Sequence, residues 1–106
     1  MSRVVITGMG IYSCIGKNLE EVKQSLYDGK SGIIYDKDRE SFGFRSCLTG
    51  MVEPVSLKKE LHRRQRLSMG EESAFAYVAT IEALKNAKID QDFIDKNEVG
   101  IIYGND

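Results

Sequence analysis

Between Arg3 and Thr7 the chain sets two valines and an isoleucine in an unbroken apolar run that stops at Gly8. Such a run predicts a short strand near residues 3–7, apolar on both faces, of the kind that parallel sheets bury. A stretch punctuated by Gly8, Gly10 and Gly16 follows, and then Asn18 stands before Leu19, Glu20 and Glu21. An Asn with a Glu three residues later is a helix-capping pattern, and both acids fall where the helix dipole is positive. Leu19, Val22 and Leu26 share one face, Lys23 and Gln24 face solvent, and Gly29 supplies a left-handed terminator, so a helix is predicted near 18–28.

Beyond that helix the periodicity weakens. DKDRES, from Asp36 to Ser41, reads as a charged loop, and FGFRSCLTGMVEP alternates only weakly, as in an exposed or edge strand stopped by Pro54. A basic stretch from Lys58 to Arg66 leads into a long helix predicted near 67–87, in which AFAYVATIEAL is apolar nearly all round. A helix apolar on every side is expected to be buried. Asn86 to Lys96 forms a polar return, and Val99 to Tyr103 gives a second buried-type strand near 98–103 that again leads into glycine, Gly104. Strands and helices in this order describe an α/β fold.

Those elements cannot cover one another, because a parallel sheet needs layers on both faces. The glycine after the second strand also falls where α/β proteins open their site-building loops. Residues 1–106 are therefore expected to be one incomplete domain, without an internal boundary, of a larger protein.

Composition adds bounds. The 106 residues are 42% hydrophobic and 29% charged, with one Pro, ten Gly and two Cys, which excludes disordered, collagen-like and disulfide-framework classes. No apolar run approaches the length of a membrane span, and MSRVVITGMG lacks the features of a signal peptide, so a cytoplasmic protein is expected. A formal net charge of −1 leaves no bulk field to draw nucleic acid or an anionic membrane.

Candidate chemistry is sparse. Gly8-Met9-Gly10 after a strand suggests the dinucleotide fingerprint, but Ser13 holds the third glycine position and the helix cap, Asn18, comes ten residues after Gly8. Close backbone packing under the apolar helix explains Gly8 and Gly10 better. Cys14, Cys47 and His62 are too few for the usual four-ligand zinc site, and no base held by a third group accompanies either cysteine. Glu20-Glu21 and Glu71-Glu72 are adjacent pairs, which diverge on a helix rather than forming an acid/base couple. No catalytic residue, metal site or cofactor is expected from these residues. The basic cluster is different. Lys58, Lys59, Arg63, Arg64 and Arg66 put five cations in nine residues at a helix start, where the dipole disfavours them, so an acidic or phosphorylated partner is a better fit than helix electrostatics.

Taken together, RVVITGMGIYSCIGKNLEEVKQSLYDGKSGI, the long apolar helix and VGIIYG resemble the N-terminal part of the β-ketoacyl-[acyl-carrier-protein] synthases, condensing enzymes of thiolase-like fold, over essentially the whole chain. Tyr12 and Cys14 depart mildly from loop positions that are more often small, aliphatic, Pro or Ser in that family. The resemblance implies a partial thiolase-like layered fold and a parent that is a homodimer. It implies a reaction in which a cysteine takes an acyl chain and two histidines assist decarboxylation of a malonyl thioester, whose carbanion then adds two carbons. Those three residues belong downstream of this chain, and Cys14, Cys47 and His62 match none of them. What carries over is docking of the acyl carrier protein, on the basic residues leading into the long helix, which Arg63, Arg64 and Arg66 match. Non-catalytic partner subunits that control chain length share the same N-terminal pattern and are the alternative.

Overall fold

In the glycine-punctuated stretch, small residues and caps set the path of the chain. The computed structural model describes residues 2–104 and holds five helices and two short strands among them. Helix α1 (Leu19–Tyr27) begins as its sequence predicts: Asn18 Oδ1 accepts the Glu21 amide at 2.9 Å, while the Glu21 carboxylate takes the amide of Lys17 at 2.8 Å. It ends on Gly29 at φ 63°, with the Lys30 amide on the Ser25 carbonyl at 2.8 Å and the Gly29 amide on the Leu26 carbonyl at 3.3 Å. This is the paired Schellman closure that a left-handed residue makes possible.

Strand β1 (Ile33–Tyr35), helix α2 (Lys37–Ser41) and strand β2 (Leu48–Gly50) form one excursion, with β1 and β2 antiparallel and Ile34 opposite Thr49. The weakly alternating segment does contain a strand. DKDRES, however, is a helix and not a loop, because Asp36 caps it by accepting the amides of Asp38 at 2.9 Å and Arg39 at 3.4 Å. Five charged or polar residues show no apolar period, so only the cap marks them as helical.

The basic stretch turns first into helix α3 (Arg63–Leu67) and, after a break at Ser68–Gly70, into helix α4 (Glu71–Ala87). The single helix predicted near 67–87 thus starts four residues late, after the extended N-cap Gly70 (φ −77°, ψ 170°). It ends on Lys88, which adopts φ 58° without being glycine, and the Ile89 amide closes on the Leu84 carbonyl at 2.9 Å. Helix α5 (Gln91–Lys96) occupies the polar return, capped by Asp90.

The N-terminal stretch lies against α4 at backbone contact distance. A methyl group placed on Gly10 would stand 1.8 Å from the Ala79 carbonyl oxygen, and one on Gly8 would stand 2.4 Å from that of Ala83. The α4 residues beneath are Ala79, Ala83 and Ala87, one helical face of small side chains. Side chains of α4 also take up the stretch's amides: Asn86 Oδ1 accepts from Met9 at 3.1 Å, and Glu82 accepts from Ile11 at 2.9 Å and Leu19 at 2.8 Å.

Two further expectations are corrected. Residues 3–7 and 98–103 form no strand, and Val4, Ile6, Ile101 and Ile102 stand at least 85% exposed. A strand is a pairing rather than a local state, and neither run finds a ladder partner among the described residues. Likewise α4 buries none of its side chains fully, although its composition suits an interior. Among the described residues only Val22 and Leu57 are buried apolar residues. The chain exposes 9308 Å² where a closed protein of its mass would expose about 5,900 Å². Its radius of gyration is 17.1 Å against about 13 Å for a compact domain. The architecture is α/β, but the one sheet among the described residues is the small antiparallel pair.

Substitution of Gly10 by Ala should destabilise the fold by about 3 kcal/mol, because the methyl group meets backbone that cannot yield. Gly100→Ala, which meets nothing within 4 Å, should change stability by less than about 0.5 kcal/mol, and denaturant unfolding of the two variants tests the contrast. Lys88→Gly should raise the unfolding free energy by up to about 1 kcal/mol in the same experiment, by relieving the left-handed lysine.

Candidate functional site

Five cations in nine residues begin with Lys58 and Lys59 in the turn before α3 and end with Arg63, Arg64 and Arg66 on the helix itself. The turn is anchored by Leu57, 6% exposed, and closed by the Leu61 amide on the Leu57 carbonyl at 3.0 Å. His62 then caps α3: its Nδ1 accepts the Arg64 amide at 3.4 Å, and its own amide donates to Gln65 Oε1 at 3.0 Å. This reciprocal capping box explains why a short run of arginines is helical at all. It also assigns His62 a structural part, with Nδ1 occupied as an acceptor rather than free to act as a base. The H-x-x-Q spacing carried that signal in the sequence.

The three arginines are not equivalent. Arg63 and Arg64 are exposed, and their guanidinium groups make no hydrogen bond or ion pair among the described residues. Arg66 is half-buried, and its Nε donates to the Leu61 carbonyl at 3.2 Å. With Lys58, Arg66 lines a cleft of about 420 Å³ walled by Leu57, Met69 and Ala74. The structure thus brings the predicted cations onto one short helix and its approach, on the outside of the molecule.

The glycine motif holds no ligand site. The amides of Met9 and Ile11, which a dinucleotide phosphate would need, are spent on Asn86 and Glu82, and the Glu82 carboxylate would repel an anion there. Glu82 and Asn86 were not singled out in the sequence. The one acid within AFAYVATIEAL was the available signal for Glu82.

Cys14 fits at the foot of the β1–β2 excursion, where a methyl group on Gly32 would come within 2.6 Å of its sulfur and one on Gly50 within 3.1 Å. Cys47 sits at the other end of that pair, 4.0 Å from the Phe44 carbonyl, and both thiols are free and half-buried. Hydrogen bonding to the Glu40 carboxylate, with Cys47 alongside, pushes the Tyr35 phenol above its ordinary value. Lys17 is raised as well, by its hydrogen bond to Glu53 and that group's charge. Both are surface effects. From neutral pH upward the Lys17–Glu53 attraction holds to about pH 10.5 and fades as pH rises through the raised lysine value, and exposed pairs of this kind contribute little. No group of three or more His, Cys, Asp or Glu suited to a metal occurs among the described residues. No helix among them is long and apolar enough to cross a membrane.

Comparison with known proteins gives these features a family. The 3-oxoacyl-[acyl-carrier-protein] synthase 1 of Buchnera aphidicola (subsp. Acyrthosiphon pisum) is 43% identical over 105 residues, covering 98% of this chain and 26% of the relative. Those of Haemophilus influenzae and Escherichia coli K12 are 36% and 34% identical over 98% of the chain, which covers 25% and 26% of them. The chain therefore spans about a quarter of the length of these curated relatives. The profile described as "Beta-ketoacyl synthase, N-terminal domain" matches residues 1–106, and the chain belongs to that family.

Proposed function

We propose that this chain is the N-terminal quarter of a cytoplasmic, homodimeric β-ketoacyl-[acyl-carrier-protein] synthase of fatty acid synthesis. In that role the whole protein condenses a malonyl-carrier thioester with an acyl thioester, releasing carbon dioxide and lengthening the acyl chain by two carbons. The observation that carries this reading is the match along 98% of the chain to proteins named 3-oxoacyl-[acyl-carrier-protein] synthase 1. The uncovered apolar runs at Val4–Ile6 and Ile101–Ile102 are consistent with strands of a thiolase-like layered fold whose remaining layers come from the rest of such a protein.

The chain's own contribution is twofold in this proposal. It supplies the crossing of the glycine stretch over α4, and it supplies the docking cations Arg63, Arg64 and Arg66 for an acidic acyl carrier protein. The cations act through local complementarity, since the net charge of −1 gives no attraction at long range. Cys14, Cys47 and His62 take no part in condensation in this reading: no histidine is hydrogen-bonded to either thiol among the described residues, and His62 is a helix cap.

Purified 106-residue protein should elongate an acyl thioester with a malonyl thioester no faster than background, and radiolabelled malonyl incorporation measures this. Turnover above background would place catalytic residues within the chain. In the full-length protein, reversing Arg63, Arg64 and Arg66 together to Glu should weaken binding of the acyl carrier protein by at least tenfold, a loss of about 1.4 kcal/mol or more. Unchanged affinity in a titration would remove the docking reading.

A further inference from the structure

Helix α3 is five residues long, and none of them is buried. A helix of that length is unstable alone, and one without a buried side chain cannot be oriented by its own packing. Its direction must be set by bonds to its surroundings. Two such ties exist among the described residues. The His62–Gln65 box fixes where the helix starts but joins α3 only to its own first turn. Arg66 makes the tie to firmer ground: its Nε donates to the carbonyl of Leu61, at the end of the turn whose first residue is the buried Leu57.

We propose that Arg66 is a positioning residue, bracing α3 against the Leu57–Leu61 turn so that Arg63 and Arg64 are presented together to the carrier, and that it does not itself bind the carrier. This assignment rests on the docking reading above and narrows it, from three docking cations to the two, Arg63 and Arg64, whose guanidinium groups are not committed to the protein among the described residues. Its basis is a difference in what each guanidinium does. Arg66 is half-buried along the cleft formed by Leu57, Met69 and Ala74 and has committed a donor to the protein, whereas Arg63 and Arg64 are exposed and their guanidinium donors bond nothing among the described residues. Arg63 and Arg66 also stand three residues apart, on one face of the helix, where like charges repel. Drawing Arg66 inward to Leu61 relieves that repulsion and leaves the outer charge to Arg63 and Arg64.

A docking charge and a brace respond differently to loss of charge alone. The test compares Arg63→Ala, Arg64→Ala, Arg66→Ala and Arg66→Gln in the full-length protein, by titration with acyl carrier protein over a range of salt and by amide hydrogen exchange of residues 63–68. Arg66→Ala should speed exchange across α3 and weaken carrier binding roughly fivefold, with the slope of affinity against salt unchanged. Arg66→Gln removes the charge but keeps an N–H donor, and it should restore slow exchange and bring affinity back to within about twofold of the parent. Arg63→Ala and Arg64→Ala should leave exchange unaltered and flatten the salt dependence. If Arg66→Gln weakens binding and flattens the salt slope as fully as Arg66→Ala does, Arg66 is a docking charge and the assignment is overturned. Unaltered exchange in Arg66→Ala overturns it too. Carrier affinity indifferent to Arg63→Ala and Arg64→Ala, with α3 loosened only in Arg66→Ala, would remove the docking reading while leaving the brace itself in place.

Discussion

The structure depends most on the crossing of residues 8–11 over α4. Two backbones approach closely enough there that a single methyl group on Gly10 would overlap the Ala79 carbonyl, and the contact persists only because both sides are made of small residues. Close approach brings amides of the N-terminal stretch alongside a helix whose own carbonyls are already bonded, so they need side-chain acceptors. Glu82 and Asn86 provide them. Glu82 is the pivotal side chain, since one of its oxygens takes the Ile11 amide and the other the Leu19 amide at the first turn of α1. One carboxylate thereby fixes the glycine stretch, the start of α1 and the middle of α4 relative to one another. The stacked rings of Tyr12 and Phe75, with centroids 5.5 Å apart, add an apolar contact on the same seam.

From that seam the other positions follow by short steps. Ser25, buried on α1, donates to the Ile15 carbonyl at 2.6 Å and so holds the glycine stretch from its other side. Cys14 then projects beneath Gly32 and Gly50, which sets the foot of the antiparallel pair. These ties are polar and lie along one side of the molecule. They define a path without enclosing a core, which is why Val4, Ile6, Ile101 and Ile102 remain open to solvent while α1 and α5 between them are capped by side chains. Excess exposure on the order of 3,000 Å² is surface of the kind that a strand ladder or a further layer covers.

How much of this was legible in the sequence depended on how local its cause was. The start and end of α1 were, because Asn18, Glu21 and Gly29 act within one helical turn of their own positions. The packing role of Gly8 and Gly10 was also legible, since an apolar helix rich in alanine offered a surface that only glycine could approach. The runs near 3–7 and 98–103 carry the composition of strands, but pairing is decided by partners, and composition cannot supply one. Helix α2 and strand β1 were hidden for the opposite reason: each is too short for a period to register, and a single cap, Asp36, decides the helix. The break before α4 turned on Gly70, a cap without a side chain, where the apolar pattern beyond it suggested continuity. In the site, the identity of the cations was plain from spacing, whereas the division between free and committed arginines was not. That division depends on where the Leu61 carbonyl lies.

Charge distribution connects the fold to the cations. Lys58 to Arg66 holds five cations and Glu60, a local charge of +4, so the rest of the chain carries −5 against the net value of −1. At physiological salt a charge is felt over about 8 Å, and a five-residue helix is roughly 7.5 Å long. An approaching acidic group within that range meets the α3 arginines as one patch and senses little of the acidic remainder. Such a patch selects partners only if its charges are held in a fixed relation, because flexible cations pay side-chain entropy for each contact they make. A short helix, capped by His62 and tied to a turn whose first residue is buried, provides that fixed relation without a hydrophobic core beneath it. The same economy governs the glycine crossing, where one carboxylate organises two backbone segments, and in both places a polar tie does what the open apolar surfaces of this chain cannot.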